Sequence, residues 1–167
     1  LFRMYDRNYA AGVPGENYNE AIGQRRIQGV EFELDGSPIE QLDIIAGYTY
    51  LDTEVERGAD EATFVLMPDH MFNLWTKYAF ESGLLDRVSV GAGVTAFSDF
   101  SSLQGVEAPG YAVVDAMVGY QFTDRLSGAV NVNNLLDKKY YNRVGSTGTF
   151  NFYGEPTSVV GSLRYDF

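Results

Sequence analysis

Counted back from the last residue in twos, the chain ends on an alternating stretch. Phe167, Tyr165, Leu163, Gly161 and Val159 fall in one set, and Asp166, Arg164, Ser162 and Ser158 in the other, with Val160 the exception. A period of two is the signature of a β-strand with one apolar and one polar face. The strand runs to an aromatic last residue, which suggests a closing strand anchored at an interface rather than a frayed polar tail.

The same period recurs upstream. A strand is predicted from about Gln24 to Asp35, with Val30, Phe32 and Leu34 on one face and Glu31, Glu33 and Asp35 on the other. Three carboxylates on one face exclude a dry environment there. Further strands are predicted over Leu42 to Glu54, His70 to Phe80, Arg87 to Ser98, Tyr111 to Phe122 and Leu126 to Asn133. Leu1 to Asn8 reads as a strand of poorer alternation. That makes about eight strands, roughly 9 to 14 residues long, against the usual five or six and close to the length that crosses a bilayer at a tilt.

The connections alternate in length. Those near Gly36, Gly83 and Asp124 are short, the first being the turn Asp35-Gly36-Ser37-Pro38. Those near Gly15, Asp60, Gly105 and Gly148 are long, covering Ala11 to Glu20, the acidic Glu54 to Ala62, Asp99 to Gly110, and Lys138 to Pro156. Short turns at one end and long loops at the other are the outer-membrane pattern, with odd strands running outward and even strands returning. In a soluble barrel the apolar faces would turn inward; in a membrane barrel they would face lipid. Periodicity does not separate these two readings. Strand length, loop asymmetry and the terminal Phe favour the membrane.

Composition changes the picture in three places. A net charge of −11 argues against nucleic acid, whose phosphates need clustered Lys and Arg. The absence of Cys removes disulfides and thiolate metal sites. No run of about 18 apolar residues is present, so the sequence offers no transmembrane helix, although alternating barrel walls score low on hydropathy. The chain starts at Leu1 with neither Met nor signal peptide, and it reads as a fragment or a processed product.

Three segments carry a resemblance to a known family. Asn133-Asn134-Leu135-Leu136-Asp137-Lys138-Lys139-Tyr140-Tyr141, Tyr153-Gly154-Glu155-Pro156 and Leu163-Arg164-Tyr165-Asp166-Phe167 resemble the C-terminus of TonB-dependent outer-membrane receptors, the ferric-siderophore subgroup above all. Gly29 to Leu34, Gly47 to Tyr50 and Pro109 to Asp115 are similar to preceding strands of that family. The resemblance implies an all-β fold: antiparallel, up-and-down transmembrane β-barrel strands, about eight of them, forming the C-terminal part of a 22-stranded barrel. Residues 1–167 would then be the C-terminal portion of the barrel, with the plug domain and the TonB box absent from the chain. It implies uptake of ferric siderophores, energised through TonB by way of the missing N-terminal region, in the bacterial outer membrane. No catalysis, no cofactor and no protein metal site are expected, because the siderophore itself carries the iron.

The candidate site residues follow from this. Tyr140, Tyr141 and Arg143, with Phe150, Phe152 and Tyr153, are candidate ligand contacts at a receptor mouth, Arg for carboxylate or hydroxamate oxygens and the rings for stacking. Set against this, the Asn133 to Tyr141 run reads as a strand end and loop base, with Asn and Asp satisfying the backbone and Tyr at the lipid interface. Leu163, Tyr165 and Phe167 would form a C-terminal aromatic signal for the barrel-assembly machinery, compatible with an aromatic girdle. His70, the one His, has no partner at metal spacing and reads as structural. Glu31, Glu33 and Asp35 form one row that lines water or meets plug residues. Three rival readings remain: an autonomous small outer-membrane barrel, a barrel hydrolase using His70, and a soluble β-barrel binder.

Overall fold

A computed structural model describes residues 1–12, 16–57, 67–102 and 105–167. Eight long strands form one antiparallel sheet: β1 (Phe2–Gly12), β2 (Asn19–Ile39), β3 (Leu42–Arg57), β4 (His70–Ala79), β5 (Val88–Phe97), β8 (Tyr111–Thr123), β9 (Leu126–Asn133) and β12 (Ser158–Tyr165). Each pairs with its neighbours in that order. Two short hairpins stand apart from the sheet: β6 (Phe100–Ser101) with β7 (Glu107–Ala108), and β10 (Tyr141–Arg143) with β11 (Phe152–Tyr153). The sheet is open. β1 pairs with β2 alone and β12 with β9 alone, and among the described residues no pairing joins β1 to β12. The autonomous small barrel, which needs that closure, is therefore not what the chain forms.

Register carries one face across the whole sheet, because directly paired residues project to the same side. Ile44, Thr76, Ala92, Ala116, Val132 and Val159 form one row, and Tyr78, Val90, Val118, Val130 and Gly161 the next. This apolar face is not a core. Val90 is 38% exposed, Val118 56%, Val130 49% and Leu163 77%. Exposed apolar surface on this scale far exceeds what soluble monomers carry, and it fits a wall whose solvent on that side is hydrocarbon. The opposite face holds Glu31, Glu33, Asp35, Asp43, Asn73, Lys77, Asp115 and Asn131, with glycines such as Gly91 and Gly93 and a few larger apolar residues, Ile45, Met71 and Met117, among them. Trp75 also lies there, its ring packed over Gly93, where a Cβ would overlap it.

Both ends of the apolar face are marked by aromatic rings. At the short-turn end the sequence Tyr-x-Phe closes three strands that run in the same direction. Tyr78–Phe80, Tyr120–Phe122 and Tyr165–Phe167 each meet edge to face, with centroids 4.9, 5.1 and 5.2 Å apart. At the long-loop end the Tyr48 hydroxyl lies 2.8 Å from His70 Nδ1, and the Tyr50 ring packs on the imidazole at 5.0 Å. His70 is thus an interface residue held by two tyrosines. Beyond this row the same face becomes polar: Arg3 donates to Gln28 at 3.0 Å, Gln28 to Asp52 at 2.7 Å, and Arg26 pairs with Glu54. Aromatic belts bounding an apolar band are what two membrane–water interfaces select.

Several boundaries differ from the sequence expectation. β2 runs 21 residues, through Pro38, and the tight turn falls at Glu40–Gln41 instead of Asp35–Pro38. Pro38 is tolerated because it sits in a register irregularity between Gly36 and Ile39, where no ladder N–H is required. β1 and β2 continue pairing to Gly12 and Asn19, so the strand ends take up residues expected in the loop. Bulges around Arg7 to Ala11, with Asn8 at φ 61°, interrupt the alternation there. Most of the acidic Glu54 to Ala62 connection lies outside the described residues.

The face assignment makes a direct prediction. Val118→Arg should destabilise the inserted wall by about 2–4 kcal/mol, whereas Ser162→Lys on the opposite face should change stability by less than about 0.5 kcal/mol. Denaturant titration of the complete receptor in lipid vesicles checks both.

Candidate functional site

The buried apolar residues of this chain lie largely outside the wall. Phe100, Ala108 and Val144 are buried together, with Val106, Tyr111 and Tyr141 packed against them. These residues come from the β6–β7 hairpin, from the start of β10 and the residue after it, and from the first residue of β8. The two long connections at the outer end therefore pack on each other and on the sheet, which gives them defined positions.

Asn134 fixes the base of the second connection. Its side chain is almost fully buried, at 2% exposure. It donates to the carbonyls of Lys138 and Glu155, both at 2.9 Å, and accepts the Lys138 N–H at 2.8 Å. Its own N–H goes to Asp115 Oδ1 at 2.8 Å, and its carbonyl accepts the Thr157 hydroxyl at 2.7 Å. Its φ of 49° lies in the left-handed region, which Asn tolerates better than most residues. This one residue thus ties β8, the loop base and the approach to β12 to the end of β9.

Above this anchor the rings form a ladder. Phe97 meets Tyr111 at 5.2 Å, and Tyr111 stacks on Tyr140 at 4.2 Å with planes 28° apart. Tyr140 in turn lies over Gly154, where any Cβ would overlap its ring. Tyr141 stacks on Tyr153 at 4.6 Å, and their hydroxyls are 3.1 Å apart. That hydrogen bond holds the Tyr141 phenol above its usual range, and the charge of an ionised Tyr153 nearby would add to the effect. Between this segment and the polar face of β5, β8 and β9 lies an open cavity of about 580 Å³.

Of the six candidate ligand contacts, Tyr140 and Tyr153 line this cavity. Tyr141 stands behind Tyr153. Arg143, Phe150 and Phe152 lie off it on the exposed hairpin. Arg143 has no hydrogen-bond or ion-pair partner among the described residues, and Phe150 is held at φ 64°, strained for an aromatic residue. The cavity also takes Tyr111, Asp115, Asn142 and Glu155, which the sequence reading passed over as site residues. For Tyr111 and Asp115 the signal was present: both fall in the polar set of their strand. Tyr140 is turned to the polar face by Tyr111 and so away from the lipid interface. Leu163, Tyr165 and Phe167 share the apolar face at its short-turn end. Among the described residues no group of three or more potential metal ligands is present.

Residues 1–135 match the family model described as TonB dependent receptor-like, beta-barrel. The chain belongs to the TonB-dependent receptor family. It is 41% identical over 180 residues to the ferric-pyoverdine M114 receptor PbuA of Pseudomonas sp. strain M114, covering all of this chain and 22% of that protein. It is 28% identical to the ferrioxamine B receptor of Salmonella typhimurium, covering all of this chain and 25% of that one. The structure of FpvA of Pseudomonas aeruginosa with a bound iron–pyoverdine matches with a TM-score of 0.82 at 28% identity, over 99% of this chain and 24% of that one. The ferric-catecholate import receptor Fiu of Escherichia coli gives 0.81 at 26%, with 99% and 24% covered. The chain thus spans about a quarter or less of the length of these relatives. The family is one of receptors, and its barrels lie in the bacterial outer membrane. That settles the direction of the apolar face against the soluble-binder reading.

The loop anchor is testable. Asn134→Ala leaves three loop-base hydrogen bonds without their partner, at a cost of about 1–3 kcal/mol for the buried groups. Limited proteolysis of the complete receptor should then cut within residues 138–156 at much lower protease, with the strands still protected.

Proposed function

We propose that this chain is the C-terminal part of the barrel of an outer-membrane receptor that takes up ferric siderophores with energy delivered through TonB. The observation that carries the reading is the aromatic cavity at the outer end of the polar face, roofed by the 140–156 segment, in a chain of this family. Its rings offer a ligand large planar contacts at small entropic cost. The remaining strands, the plug and the TonB contact belong to the rest of the protein. Transport needs no catalytic residue and no protein cofactor, since the metal arrives already chelated. The apolar face meets outer-membrane lipid, and Leu163, Tyr165 and Phe167 present the barrel-assembly machinery with its aromatic signal.

Replacing residues 141–153 of the complete receptor with a short Gly-Ser linker should lower uptake of radioactive ferric siderophore by at least about tenfold in iron-starved cells. The receptor should still reach the outer membrane in normal amount. Undiminished uptake would contradict the placement of the site.

A further inference from the structure

On the uptake reading above, we infer that the cavity beneath the 140–156 segment receives a cationic arm of the ligand, an amine or a guanidinium, and not its metal-binding oxygens.

The lining decides this. Asp115 and Glu155 are the charged residues that line the cavity, and both are acidic. Asp115 uses Oδ1 to accept the Asn134 N–H, and its other oxygen has no hydrogen bond among the described residues. Glu155 gives its backbone carbonyl to Asn134, while its carboxylate has neither a hydrogen bond nor an ion pair among the described residues. Among the described residues no Lys or Arg lines the cavity to neutralise them; Lys138, Lys139 and Arg143 are exposed and outside it. An anionic group brought here would meet two carboxylates of its own sign in a partly desolvated space.

A cation meets the opposite situation. The carboxylates offer charge-assisted acceptors. The Tyr153 ring, which also lines the cavity, adds a face that attracts a cation through its quadrupole. The tyrosine stack is held in place by Gly154 and by the Tyr141–Tyr153 contact, so the cation does not have to order its own site. A chelate of three catecholates is strongly anionic and one of three hydroxamates is neutral. Selection by this cavity therefore acts on what the chelate carries besides its iron-binding groups.

The test uses the complete receptor in detergent and two probes. One is a ferric tris-hydroxamate chelate with a free primary amine; the other is the same chelate with that amine acetylated. Quenching of intrinsic fluorescence gives both affinities at neutral pH and low salt. The amine chelate should bind about three- to tenfold tighter, and Glu155→Gln should remove most of that preference while leaving the acetylated chelate within about twofold. The preference should shrink as salt is raised. Equal binding of the two chelates by the unmodified receptor overturns the inference and leaves the uptake reading standing, as does a Glu155→Gln variant that weakens both alike. Binding of neither chelate overturns this inference, and the uptake assay above decides the uptake reading separately. Each affinity of the variant is read per folded receptor, so poor folding lowers the signal and leaves the ratio of the two probes intact.

Discussion

A backbone that crosses hydrocarbon must satisfy every N–H and C=O within the protein, because no water is present to do so. The ladder of eight antiparallel strands is the direct response to that constraint. Six of the eight strands are paired on both sides, and only β1 and β12 keep a free edge. Once the ladder carries the polar backbone, side chains are released from making a core within the wall. They sort instead by which solvent they meet, and the period of two is the visible trace of that sorting. Val90, Val118 and Val130 can stay exposed without penalty because their solvent is lipid.

The wall treats its two ends differently. At the short-turn end, Tyr-x-Phe closes β4, β8 and β12 in turn, placing three edge-to-face pairs along one line. At the other end the sheet continues past its aromatic row, and the formerly apolar face becomes a surface of Arg3, Gln28, Asp52, Arg26 and Glu54. Among the described residues, it is there that buried apolar residues cluster in the manner of a soluble domain, with Phe100, Ala108 and Val144 holding two loops together. The proposed site lies where the wall leaves the membrane, because there the chain can form both a packed core and a polar cavity.

Period two made the eight wall strands legible, and the alternation of short and long connections made their direction legible. What escaped has a common cause. Strand ends beyond the apolar band, such as Asn19 to Ala21, are exposed and lose the alternation that betrays a strand. Pro38 and Gly36 read as a turn, yet the register irregularity absorbs them and the chain turns at Glu40. In the site, Tyr140 and Tyr153 stood out as aromatics in a long loop. Their partners Tyr111, Asp115 and Glu155 did not, because what joins them is stacking and one buried amide across segments far apart in sequence. Asn134 looked like a generic loop-base Asn; its hydrogen bonds to Asp115, Glu155 and Thr157 appear only when these distant segments are side by side.

The central claim is that the apolar face meets hydrocarbon and the alternate face meets water. Spin labels placed singly at Val118, Val130 and Leu163, and at Ser89, Asn131 and Ser162, in the complete receptor reconstituted in bilayers, test it most directly. Labels in the first set should collide freely with dissolved oxygen and be shielded from a water-soluble nickel chelate. Those in the second should show the reverse. If the first set proved inaccessible to both reagents, those residues would be packed in a dry interior, and the account of the wall would be contradicted.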